Sequence, residues 1–143
     1  MCDIVLKHKK SLEDLQVYEN TTLISRSGTV GKVAFVPKHW NRYIPSDHII
    51  RVVPVSNDIA GYINIFLASD YGNVLINKYT YGSVVDEIDN NHVKSIPFSL
   101  LKNVTVQKTI NDMALKANQK RYEAYCLEQE AIKIMNEEVI FAK

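Results

Sequence analysis

Residues 104–143 read VTVQKTINDMALKANQKRYEAYCLEQEAIKIMNEEVIFAK, forty residues without a glycine or a proline. Ala, Glu, Lys, Gln, Met and Leu dominate, all good helix formers, so one long helix is predicted. Within it Ile110, Met113, Ala117, Ala124, Leu127, Ala131, Ile134 and Phe141 step by three and four, broken only at Lys120 and Glu138. That is the a/d period of a coiled-coil seam, sustained for about four heptads. The many alanines predict a partner helix that comes close. About 35 residues at ~1.5 Å each span roughly 50 Å, more than a body of about 100 residues covers. The expectation is therefore a second long helix, from the same protein or from another copy. The alternative is an amphipathic helix laid along its own domain.

The rest of the chain has a different texture. Residues 1–103 hold all five glycines and all four prolines. Leu23–Arg26 and Lys32–Val36 are predicted as two short strands, with Ser27-Gly28-Thr29-Val30-Gly31 as the turn between them. Ile49–Val53 is predicted as a third strand, ended by Pro54. Asp58 is the expected N-cap of a helix carrying Ile59, Tyr62, Ile63, Ile65, Phe66 and Leu67. Asn73–Tyr79 extends that helix or forms a second. Ser83-Val84-Val85 reads as strand or loop, and Asn91–Lys94 as one helical turn. The fold class predicted is α/β (α+β): a small twisted mixed sheet with short helices, then one long C-terminal coiled-coil-type helix.

Composition narrows the classes. A length of 143 residues with 46% apolar content suits one compact domain with a real core. The net charge of +1 argues against coating nucleic acid by bulk charge. Cys2 and Cys126 lie far apart, in no CxxC arrangement, so neither a disulfide framework nor a zinc site is expected, and free thiols fit a reducing cytoplasm. No apolar run reaches the length of a membrane span. His8, His39, His48 and His92 have no metal-ligand spacing, no cofactor is expected, and Asp86-Glu87-Ile88-Asp89 reads as a solvated acidic loop, with a magnesium site as the alternative. Gly28-Thr29-Val30-Gly31-Lys32 fails the phosphate-loop pattern: two residues, not four, separate its glycines, and Val33 follows the lysine. No Ser–His–Asp set can be assembled from the sequence, and no amino-methyltransferase motif is present.

One stretch carries a local charge. From Arg26 to Arg51 five cations (Arg26, Lys32, Lys38, Arg42, Arg51) face one anion, Asp47, a net of +4. Its middle, Lys38-His39-Trp40-Asn41-Arg42-Tyr43, sets cations, hydrogen-bonding groups and aromatics between Pro37 and Pro45. Lys and Arg meet phosphates, Arg and Asn read base edges, and Trp and Tyr stack or wedge. The plain alternative is an exposed connection with Trp40 in the core. A second candidate is Asn77-Lys78-Tyr79-Thr80-Tyr81-Gly82-Ser83, with a helix C-terminus as its plain reading. The expected DNA contacts are Arg26, Ser27, Thr29, Lys32, Lys38, His39, Trp40, Asn41, Arg42, Tyr43, Lys78, Tyr79, Tyr81 and Ser83.

These pieces, in this order, resemble the specificity subunits of type I restriction–modification systems. Leu-Ile-Ser-Arg-Ser-Gly-Thr-Val-Gly-Lys-Val at 23–33 resembles that family's strand–turn–strand signature. Ser46–Val52 is similar to its next strand, and Tyr62–Phe66 falls where it has a helix. Tyr81–Ile88 resembles its Gly-Ser segment, Asn91–Pro97 its approach to the spacer, and Gln107-Lys108-Thr109-Ile110 the opening of its long helix. Three departures stand out. A shorter stretch precedes the Ser-Arg-Ser-Gly signature than the family usually has, Pro97-Phe98-Ser99-Leu100 replaces its proline-rich approach, and at most one recognition domain and one spacer are expected here where the family's subunits have two of each.

The resemblance implies residues 1–103 as a partial target-recognition domain and 104–143 as a spacer and dimerisation arm. It implies a non-catalytic role, reading one half of a split double-stranded DNA target and docking adenine methyltransferase subunits, with restriction subunits joining them. Paired antiparallel spacer helices would set the gap between half-sites, and a homodimer through the helix would prefer a palindromic bipartite target. Three other readings stay open: a recognition piece of a single-chain restriction–methylation enzyme, an interaction protein that binds no DNA, and a fragment that folds without binding.

Overall fold

A computed structural model describes residues 12–78, 80 and 87–140. Three strands, β1 (Thr22–Ser25), β2 (Val33–Phe35) and β3 (Ile49–Val52), form a sheet in the order β2-β1-β3. Both pairings are antiparallel, so the sheet is not mixed. The physical reason is connection length. β1 and β2 are joined by a tight turn, which makes them antiparallel, and residues 36–48 then carry the chain past β1 to its other edge, so that β3 runs parallel to β2 and antiparallel to β1. Gly28 and Gly31 take the left-handed conformation, with φ of 72° and 82°, that closes the turn. Gly31 is also crowded: a Cβ there would lie 3.3 Å from Nδ2 of Asn77.

Four helices follow: α1 (Asn57–Ala68), α2 (Asp70–Asn77), α3 (Asn90–Ser95) and α4 (Val104–Met135), which runs on into a π-helical turn at Asn136–Ile140. The expected cap of α1 is displaced by two residues. Ser56 is the N-cap, and its Oγ accepts from Asp58 N at 3.2 Å. Ser69 separates α1 from α2, because its extended backbone ends one helix while its Oγ accepts from Gly72 N at 3.1 Å to start the next. Asp89 caps α3 through a capping box with His92, and Asn103 caps α4. The strand-or-loop segment expected at Ser83–Val85 lies outside the described residues.

The core follows strand alternation. Ile24, Ile50 and Val52 share one sheet face and pack with Ile63 and Leu67 of α1, Ile76 of α2, and Ile88, Val93 and Ile96. Leu23, on the opposite face, packs with Val17, Val36 and Ile49 in a smaller cluster. Arg51 lies across the sheet from Leu23 and donates through one guanidinium nitrogen to the carbonyls of Asp14 (2.5 Å) and Gln16 (3.2 Å). It fastens the segment before β1. The first half of α4 lies along α1. Gly61 allows this approach, since a Cβ there would meet the main-chain oxygen of Asn111 and come within 2.9 Å of Ala114 Cβ.

Candidate nucleic-acid interface and helical arm

The hairpin divides the expected DNA-contact residues. The register pairs Thr22 with Phe35 and Ile24 with Val33. The turn at 28–31 is thus at one end of β1, and the chain leaves β2 toward the other. Four strand residues separate the two ends, about 13 Å. Arg26, Ser27, Thr29 and Lys32 sit at the turn end, and Asn73 of α2 joins them by donating to Gly31 O at 3.1 Å. Lys78 follows the last turn of α2. Lys38, His39 and Trp40 sit at the far end, against α4, and Asn41, Arg42 and Tyr43 follow there, bonded to Glu19 and Val17 ahead of β1. Tyr79, Tyr81 and Ser83 lie outside the described residues, as does Phe141.

At the turn end Arg26 reaches Glu87 at 3.9 Å, with both side chains about a third exposed. Such a surface pair contributes little stability, but it lowers the net charge offered to a polyanion. Ser27 Oγ lies 2.5 Å from His48 Nδ1, and Asp47 is 3.7 Å from His48 Nε2. This Ser–His–Asp chain is open to water: His48 is 67% and Asp47 77% exposed. It ties the 46–48 turn to the hairpin. The desolvated surroundings that strengthen such a set for acyl transfer are missing around it. Thr29 and Lys32 are exposed, and the Thr29 carbonyl accepts from Ser25 Oγ.

At the far end Lys38–Trp40 forms a 3-10 turn. The Lys38 ammonium stands 5.2 Å from the ring centre of Tyr122. The His39 ring lies flat on Tyr125, centroids 4.0 Å apart and planes 4° off parallel. Trp40 meets His39 edge-on and is 38% exposed, so the core does not enclose it. Asn41 Oδ1 accepts from Glu19 N at 2.6 Å. Arg42 has φ 67°, an uncommon conformation for a non-glycine residue that costs about 1 kcal/mol. Its N–H donates to Val17 O at 2.8 Å, which holds the backbone there. Arg42 and Tyr43 are exposed.

The face of α4 that meets the body is polar and aromatic. Asn111, Ala114 and Asn118 are buried, and Tyr122 and Tyr125 half-buried. Four asparagines form a relay. Asn118 Nδ2 donates to Val36 O (2.8 Å) and Asn20 Oδ1 (3.0 Å). Asn20 Nδ2 donates to Asn57 Oδ1 (3.2 Å). Asn111 Nδ2 donates to Asn57 O (3.0 Å), while its Oδ1 accepts from Gly61 N (2.9 Å) and Tyr62 N (3.2 Å). These residues were missed from the sequence. The available signal was two asparagines seven residues apart, poor helix formers in a helix of good ones.

The seam lies on the other side of α4. At ~100° per residue, Met113 is roughly 200° around the axis from Asn111. Met113, Ala117, Ala124, Leu127, Ala131 and Ile134 are exposed, and Ile110 is half-buried at the margin. From Cys126 to Ile140 every residue but Asn136 is exposed. Elsewhere the electrostatics are local. Main-chain N–H groups of α3, foremost His92, hold the Asp89 carboxyl below its usual range. A hydrogen bond with Cys126 pushes the Tyr122 phenol up. Among the described residues no group of three His, Cys, Asp or Glu could hold a metal ion, and no helix is long and apolar enough to cross a membrane. No protein-family model matches the chain, and no curated protein matches it.

Proposed function

We propose that the chain is a non-catalytic, cytoplasmic DNA-recognition module of the type I restriction–modification kind, reading one half-site and pairing through its long helix. The observation that carries this reading is the two-faced α4. The body holds it through Asn111, Asn118 and Tyr125, while Met113, Leu127 and Ile134 keep an apolar stripe facing away. A spacer helix needs both faces, one for its own domain and one for a second helix. Charge favours an antiparallel second copy: residues 104–123 carry a net +2 (Lys108, Lys116, Lys120 and Arg121 against Asp112 and Glu123) and residues 124–143 a net −2 (Lys133 and Lys143 against Glu128, Glu130, Glu137 and Glu138). Reversing one helix therefore sets the positive half against the negative one, although Lys120 and Glu137 also meet Glu123 and Lys133 on their own helix. The resemblance at 23–33 and 107–110 supplies the DNA and methyltransferase parts of the proposal.

The test is selection from a pool of random-sequence duplexes, with the chain alone and with an adenine methyltransferase subunit. Enrichment of a defined motif, with affinity falling as salt rises, supports recognition. No enrichment in either format sinks it.

A second reading, an interaction protein that binds no DNA, is favoured by the disposition of charge. Arg26 is paired with Glu87 and Arg51 is occupied by main-chain carbonyls, which thins the basic segment. It predicts pairing through α4 with no salt-dependent duplex binding.

A further inference from the structure

The segment Val36–Asn41 is fastened to α4 at three successive levels. Asn118 reaches Val36 O at 2.8 Å, Tyr122 lies under Lys38 at 5.2 Å, and Tyr125 stacks on His39 at 4.0 Å. Steps of four and three put all three on one helix face. From Cys126 to Ile140 the helix is exposed save at Asn136, so among the described residues the Tyr125–His39 stack is the outermost fastening between arm and body. His39 Nδ1 is buried and has no hydrogen-bond partner among the described residues. Stacking, not a directional bond from Nδ1, therefore sets the ring's pose, closely on Tyr125 and more loosely on Tyr122, whose ring centre is 6.1 Å away. Trp40 follows immediately, edge-on to that ring, and Arg42 two residues later holds its left-handed backbone.

We infer that Tyr125 is a positioning residue for recognition: through His39 it sets the pose of Trp40 at the head of a loop whose Arg42 and Tyr43 backbone is held by Val17, so that the arm's attachment and the contact of Trp40 with DNA form one mechanical unit. This rests on the DNA-reading proposal. A stacked aromatic pair favours one arrangement by up to about tenfold in population. A loop that is competent only in that arrangement loses specific affinity in proportion to the competent fraction. Affinity for arbitrary duplex, which depends on phosphate contacts, does not change in step.

The experiment compares Tyr125→Leu, which removes the ring, with Tyr125→Phe, which keeps it. Trp40 is the chain's single tryptophan, so acrylamide quenching of its emission reports the loop without any DNA. Tyr125→Leu is expected to raise Trp40 quenching and to lower the ratio of selected-motif to random-duplex affinity by about three- to tenfold, and Tyr125→Phe to restore both. A merely structural role would lower unfolding stability without changing that ratio. Unchanged quenching in Tyr125→Leu overturns the inference, as does loosened Trp40 with an unchanged affinity ratio. If Tyr125→Leu does not fold, His39→Leu against His39→Phe makes the same comparison from the other side of the stack. Absence of selective binding by the unaltered chain sinks the recognition reading and the inference with it. That outcome is distinct, because the quenching comparison still reports whether the stack holds the loop.

Discussion

Asn118 donates its side-chain amide to the main-chain oxygen of Val36, eighty-two residues earlier, at 2.8 Å. The same nitrogen also meets Asn20 Oδ1. Two acceptors on one side fix which way the amide faces. Asn118→Ala is expected to destabilise the fold by about 1–3 kcal/mol, from the lost bonds and the cavity. Asn118→Asp is expected to be worse at neutral pH, since it turns an acceptor with no N–H toward two acceptors in a buried position. Urea unfolding of both variants checks the order. An aspartate variant as stable as wild type would refute the assignment.

The two ends of the hairpin are expected to differ in how they touch DNA. Lys32→Ala, at the turn, should weaken binding to all sequences and reduce the salt slope by about one. Arg42→Ala, in the loop that follows the Lys38–Trp40 turn, should relax preference at one position by about 1–3 kcal/mol. Anisotropy titrations against matched and mismatched duplexes at several salt concentrations separate these effects. If neither variant alters binding at moderate salt, the DNA face lies elsewhere.

Leu127 is 67% exposed, so Leu127→Lys should leave the body's stability within about 0.5 kcal/mol while abolishing self-association through the helix. Sedimentation of both proteins at tens of micromolar tests this. A wild-type chain that stays strictly monomeric at such concentrations argues against pairing of like copies.

Asp89 gives a pH prediction. Main-chain N–H groups of His92 and Asn91 favour its ionised form, so its folded-state pKa lies below the ordinary value of 3.8. The cap's charge-dependent stabilisation is therefore complete above the unfolded pKa and disappears as pH falls through the folded one. Asn caps helices well without a charge. The stability of wild type relative to Asp89→Asn should thus be largest near neutral pH and shrink below about pH 4. A difference that does not change with pH would show the carboxylate charge to be irrelevant.

The elements that follow a period were legible in the sequence. The hairpin at 23–36 and the third strand emerge within a residue or two of their expected ends, because burial on one face leaves a repeat, and the long helix starts at Val104 as expected, announced by its helix-forming composition. The division of the basic segment was implicit in the hairpin itself: a chain that turns at Gly28–Gly31 and comes back carries Lys38–Tyr43 to the far end. The body-facing side of α4 was not legible. Hydrophobic period singles out Met113, Ala117 and Leu127, but the contacts that attach α4 to its own domain run through Asn111, Asn118 and Tyr125. Those residues suit carbonyls, amides and an imidazole contributed from 50 to more than 80 positions away. Likewise, nothing in the spacing of Arg26 or Arg51 announces that Glu87 or the Asp14 and Gln16 carbonyls will take them up.

The overhang of α4 beyond Tyr125 also has a metric consequence. In an antiparallel pair that sets Lys120 and Arg121 against Glu138 and Glu137, the midpoint falls near residue 129. Each body is bolted about ten residues before it, around Asn118. At ~1.5 Å per residue the two Asn118 contacts stand roughly 33 Å apart along the axis, and the two Tyr125 contacts roughly 12 Å. The two bodies would lie on opposite flanks of such a pair, and the burial of Asn111 and Asn118 would fix how far along it each is carried.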